Sequence, residues 1–198
     1  MIGSALSRWT MTFFAVALLC LLGAQALMVV GYGYPAAPVE APETLVLVHM
    51  ATIGWLSLLM CGALFQFVPV LVAKPLYGER LALPALLCLV SGLVCLLAGF
   101  LMLSGAIDTG PPLLAAGGVF LPAGFALVLV ALGATLWKAR PLPLPARFVA
   151  VGLAGVAVTA TLGSLFSLAL SGLVLSPVLL DLHASGVPFH AAAGFGGW

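Results

Sequence analysis

Charge is what this sequence has least of. Only 6% of its 198 residues are Asp, Glu, Lys or Arg, while 64% are hydrophobic; a soluble domain carries roughly 25% charged residues. Helices built from such a chain have no polar face to show water, and an all-round apolar helix belongs in lipid or inside a large protein. A chain of this length makes no such interior, so the composition describes an integral membrane protein. The net charge of +1 comes without a basic tract, which removes the electrostatic footprint of nucleic-acid binding. There is also no glycine-rich phosphate loop and no Cys-x-x-Cys pair. The four cysteines, at 20, 61, 88 and 95, fall inside apolar segments. There a small thiol packs as a hydrophobe, a reading preferred to disulfides or metal binding.

What is present is a series of long apolar runs. About 20 apolar residues cross a bilayer, and five full spans can be drawn, over 9–31, 44–73, 81–107, 113–137 and 148–175. A sixth is expected to start near Pro188 and to reach Trp198. The runs are continuous rather than alternating, so they read as helices and not as barrel strands. The predicted fold is an all-α polytopic bundle, five full transmembrane helices plus the start of a sixth. Since the last run holds only about ten residues of the 20 a crossing needs, the chain reads as the first part of a longer polytopic protein, a truncated frame or a fragment.

The few charges test this layout. Arg8 precedes span one, Lys74 and Arg80 lie between spans two and three, and Lys138, Arg140 and Arg147 lie between four and five. These are alternate loops, so all six cations share a side, which the positive-inside rule makes cytoplasmic. Glu40, Glu43, Asp108 and Asp181 fall on the other side, without a lysine or arginine. The expected location is a cell inner membrane, with the N-terminus cytoplasmic. Trp9 and Trp137 mark one boundary, Tyr32 and Tyr34 the other. Arg8, the run 11–23 and Ala24-Gln25-Ala26 also fit a cleavable leader, but the apolar run continues to Gly31 and favours a retained helix.

Two spans carry packing signals. Span five places Gly155, Thr159, Gly163, Ser167 and Ser171 at every fourth position, a stripe that admits a close helix. Span three places Cys88, Gly92, Cys95 and Gly99 near one face. The proline-rich loop at 139–147 cannot continue a helix and divides the chain into a first four-helix unit, 1–138, and the start of a second, 148–198.

No acid or base lies deep in a span, which argues against an ion pump with an acidic relay and makes a transporter the weakest class. The intramembrane polar residues are Gln25, His49, Thr52, Ser57, Gln66 and the hydroxyls of span five. His49 lies near the outer end of span two, above an apolar face expected to hold Ile53, Leu56, Met60 and Phe67. Neutral imidazole ligates iron or copper through one nitrogen while the other is held by a hydrogen bond; an interfacial histidine bonded to a carbonyl is the plainer alternative. His190 follows Pro188, which suits a helix's first turn, with Ser185 or Gly186 as cap. Both histidines precede a Gly-Trp pair, in "HMATIGW" and "HAAAGFGGW". His183 is expected in the outer loop as an interfacial residue.

The stretch from His49 through Gly62, Phe67-Val68-Pro69, Lys74-Pro75 and Pro84 resembles the second helix of the heme-copper oxidase subunit I superfamily. The "PLPLP" break after span four resembles the end of one of that family's four-helix arcs. The resemblance implies His49 as an axial heme ligand and His190, on span six, as a ligand of a second centre holding copper or another metal. "HAAAGFGGW" has neither the acid nor the tyrosine of the family's sixth helix, so the likeness is to small divergent oxidase-like proteins. The heme- and copper-containing membrane proteins of the nitric-oxide response are neighbours. The implied function is heme or metal binding with an electron-transfer or gas-ligand role, beside other membrane subunits or a missing C-terminal half. The alternative is a non-enzymatic scaffold or assembly protein without cofactor.

Overall fold

In the computed structural model, which describes residues 7–108, 112–174 and 176–198, the chain is all-helical. Helix α1 spans Arg8–Val29 and α2 spans Pro42–Val72. Helix α3 runs over Glu79–Leu103, α4 over Leu113–Lys138 and α5 over Leu144–Leu170. These five are long and apolar enough to cross a membrane. Helix α6, Pro177–Ala192, continues as a π-helical turn over Ala193–Gly197. The five expected spans agree with α1–α5 to within a few residues; Leu175, the expected end of the fifth, lies outside the described residues.

Local chemistry sets the ends. Ser7 caps α1, its hydroxyl accepting from the Thr10 amide at 3.2 Å. Helix α2 stops at Ala73, which turns left-handed at φ 49°. Helix α5 begins at Leu144, earlier than the proline count suggests. Pro143 holds the extended entry geometry and Pro145 sits in the first turn, where a missing N–H leaves no bond unmade. The loop is thus shorter than 139–147. The sixth helix is a larger correction. It starts at Pro177, after an extended Ser176, and not near Pro188. Two prolines compete for the first-turn position. Pro188 lies inside α6, where a protein environment in lipid tolerates it. Ser185 and Gly186 are therefore interior residues, not caps, and Asp181 and His183 belong to the helix rather than to a loop.

Helices adjacent in sequence pack side by side, and small residues bring them together. The Thr10 hydroxyl donates to the Gly62 carbonyl at 3.0 Å, joining α1 to α2. Phe13 meets Phe65 edge to face at 5.5 Å beside it. Between α3 and α4 the contact is backbone to backbone: a Cβ on Gly92 would stand 2.7 Å from the Leu121 nitrogen, and one on Gly99 2.9 Å from the Leu114 Cα. The glycines of span three thus act as the sequence suggests. All four cysteines are free, with Cys61 buried.

The stripe on α5 serves two neighbours. Gly155 faces Gly197, Thr159 faces Gly194 and Gly163 faces His190, all on α6 and its terminal turn. Ser164 and Ser167 instead donate to the Gly118 and Leu114 carbonyls of α4. Four residues of α-helix overshoot a full turn by about 40°, so a stripe at every fourth position winds from one partner to the next.

Leu19, Leu22, Val94, Val119, Val151 and Val158 point outward, as lipid requires. The cationic ends of the helices meet. The Tyr77 amide donates to Thr135 Oγ1 at 2.9 Å, and the Ser7 amide donates to Gln66 Oε1 at 3.2 Å. Arg8 stacks on Trp9, Lys138 on Tyr77 and Arg140 on Trp137.

Candidate functional site

His49 closes the first α-helical turns of α2. Its Nδ1 lies 2.8 Å from the Leu45 carbonyl, one turn back. A carbonyl only accepts, so Nδ1 carries a proton, and in the neutral ring Nε2 keeps the lone pair. Phe100 of α3 lies against the ring, 5.1 Å between centroids.

His190 reaches the same electronic state by a tertiary route. Its Nδ1 lies 3.0 Å from the Thr159 carbonyl on α5. The ring occupies the space above Gly163, where a Cβ would stand 3.0 Å from Cε1. Gly163 is therefore the seat of the imidazole, and any larger residue pushes the ring off its carbonyl. Phe166 packs on His190 at 5.6 Å and on His183 at 5.3 Å. His183 and His190 lie two turns apart on one face of α6, and His183 is half-buried within the helix.

His49 stands on α2 and His190 on α6. Neither Nε2 has a hydrogen-bond partner among the described residues, and neither is sealed away: both side chains are half-buried, and the Tyr32 hydroxyl is the one enclosed, unpartnered polar atom among the described residues.

Each histidine stands at the mouth of a π-helical segment, Met50–Ser57 after His49 and Ala193–Gly197 after His190. Such i→i+5 turns are rare, usually single, and concentrated where side chains are re-aimed for function. Trp198, just after the second segment, is tied to the first: its Nε1 donates to Ser57 Oγ at 3.0 Å. Gly54, within the first, fits against Cys20 and Leu93. The wide turns also correct the expected His49 face. A π segment advances each residue less than an α-helix does, so a wheel drawn through the span drifts. Phe67, placed under His49 by that wheel, is 53% exposed.

No group of three or more His, Cys, Asp or Glu able to hold a metal ion occurs among the described residues. The nitrogens at hand are those of His49 and His190. A bare zinc or copper ion takes three or four protein ligands; a heme iron brings four nitrogens of its own and needs only two more. Two imidazoles meet that number for a heme.

Sequence reasoning singled out both histidines as candidates and read the stripe on which one of them sits. It missed Thr159 as the partner of His190, the two phenylalanines and the Ser57–Trp198 tie. Compared with family models, curated proteins and solved structures, the chain matches none.

Proposed function

We propose that the chain is an integral membrane heme protein, in which Nε2 of His49 and Nε2 of His190 would hold the heme iron. One observation carries this reading: both Nδ1 atoms are committed to backbone carbonyls, which leaves both Nε2 atoms free, and the segments that follow the two histidines are tied through Trp198 and Ser57. The bond from Nδ1 to the carbonyl would fix the ligating tautomer and the ring plane before any metal arrives. Bound there, a heme supplies a one-electron couple. Such a couple would suit electron transfer. The helix-two resemblance to heme-copper oxidase subunit I supports His49 as a heme ligand. It departs at His190, which in that family serves a separate copper site. The cationic loops support an inner-membrane protein with its N-terminus cytoplasmic.

The test is the optical spectrum of protein purified from a heme-sufficient host. A reduced-minus-oxidised spectrum with sharp low-spin bands is expected, lost or converted to high spin in both His49→Ala and His190→Ala. A His49→Ala protein with an unchanged spectrum sinks the assignment.

A second reading has its own observation. Thr159 and Gly163 hold His190 as a helix-to-helix fastener, and a scaffold protein needs nothing more of it. That reading predicts no chromophore and tolerance of His49→Leu.

A further inference from the structure

The cationic end of the bundle contains a cleft of about 380 Å3 lined by Lys74, Pro75, Leu76, Tyr77, Gly78 and Lys138. We propose that this cleft binds the phosphate of an anionic membrane phospholipid, held between Lys74 and Lys138.

The two ammonium groups come from different helices. Lys74 follows the end of α2 and Lys138 is the last residue of α4. The link between α2 and α3 is fastened to α4 by the Tyr77–Thr135 bond, which fixes the cleft's floor. Lys138 is steered across that floor by the Tyr77 ring, 4.4 Å from its Nζ. None of the lining residues is acidic, and neither lysine forms an ion pair among the described residues. Glu79, the acid next in sequence, lines a neighbouring cleft instead. Two uncompensated cations thus stand at the level of the helix ends, where phospholipid phosphates lie.

The rest of the lining chooses between phosphates. Free phosphate is hydrated on every side and gains nothing from apolar walls. A phospholipid has a phosphodiester at one end and a glycerol backbone beneath it, and Pro75, Leu76 and the Tyr77 ring offer an apolar surface for that part. Leu76 also borders the second cleft, about 280 Å3, which contains Trp9, Phe65, Pro69 and Val70. Leu76 thus links the lysine cleft to a second one whose lining is partly apolar. Gly78, at φ 59°, turns the link. Basic pockets between transmembrane helices at this level recognise anionic headgroups, each lysine contributing on the order of fivefold in affinity.

The experiment is native mass spectrometry of the detergent-purified chain, titrated with phosphatidylglycerol or with phosphatidylcholine of the same acyl chains. Wild type is expected to prefer phosphatidylglycerol. Lys74→Gln/Lys138→Gln should lose about 30-fold of that preference. Lys74→Arg/Lys138→Arg should keep most of it, and so should Arg140→Gln/Arg147→Gln, which removes equal charge from the same end. If the double glutamine variant does not fold, Lys74→Gln alone should lose about fivefold. Millimolar inorganic phosphate should leave the lipid bound. An equal loss in the Arg140/Arg147 variant would reduce the effect to a diffuse field. Displacement by inorganic phosphate would make the occupant a free anion. Either result, or no preference in wild type, overturns the proposal.

Discussion

Replacing Gly163 by alanine tests the seating of His190 with a single methyl group. The added Cβ would stand 3.0 Å from His190 Cε1 and 3.6 Å from Nδ1. The first contact is tighter than ordinary van der Waals separation, so the ring must move by a few tenths of an ångström. The movement lifts Nδ1 off the Thr159 carbonyl, now 3.0 Å away. Three terms compete. Alanine in place of glycine favours a helix by about 1 kcal/mol. Overpacking costs about 1–3 kcal/mol, and loss of the hydrogen bond costs about 0.5–1.5 kcal/mol. The balance is a loss of roughly 1–3 kcal/mol. Gly133→Ala is the matched control, since nothing lies within 4 Å of the added methyl. It should be neutral or gain up to about 1 kcal/mol. Thermal unfolding in detergent gives the stabilities, and nitrogen NMR of labelled histidine reports whether Nδ1 keeps its proton. If Gly163→Ala melts with Gly133→Ala and the His190 tautomer is unchanged, then the ring is not seated on Gly163 and the reasoning fails.

Gly92→Ala should be harsher, by about 2–4 kcal/mol, because the neighbour at 2.7 Å is the Leu121 backbone, which cannot rotate away; equilibrium unfolding checks it. Ala73→Gly should stabilise by about 1 kcal/mol, relieving a left-handed residue, and a lower melting temperature would contradict it. Ser57→Ala should loosen the tie to Trp198 by about 1 kcal/mol, visible as faster hydrogen exchange at the end of α6. Tyr32→Phe removes a buried, unpartnered hydroxyl and should be neutral to stabilising by about 1 kcal/mol. Burial, and then the Glu43 carboxylate, raise the Tyr32 phenol above its ordinary value. The unfolded chain therefore ionises first. Stability from this group is full below about pH 10 and falls as pH rises toward the folded value; the phenylalanine variant should lack that alkaline loss.

The legible part of this fold is the part written in composition. Five apolar runs set five helices because hydrocarbon admits no other spanning structure of that length, and the cations marked their ends independently. Gly92, Gly99 and the α5 stripe were readable because a missing side chain is itself a signal. The sixth helix was misplaced because Pro177 and Pro188 carry the same local meaning, and only packing against α5 decides which one opens the helix. Thr159 was illegible for a deeper reason: its contribution is a main-chain carbonyl, which every residue has. The π turns were hidden likewise, since they follow from how the helix fits its neighbours rather than from a residue type.

The depth of His49 has an electrical meaning. It is the eighth residue of α2 counted from Pro42, about 10 Å along the helix from the end opposite the cations. The whole helix has 31 residues, about 46 Å, and outreaches a 30 Å hydrocarbon core by about 16 Å, so centring the helix places His49 near the edge of that core. An electron reaching the proposed heme there from the non-cationic side would cross little of the transmembrane voltage, and one arriving from the cationic side would cross most of it, up to about 2.3 kcal/mol for each 100 mV. On that proposal the position of a single imidazole would set which face exchanges electrons at little electrical work, and the midpoint potential measured in energised vesicles would depend on the sign of the imposed voltage.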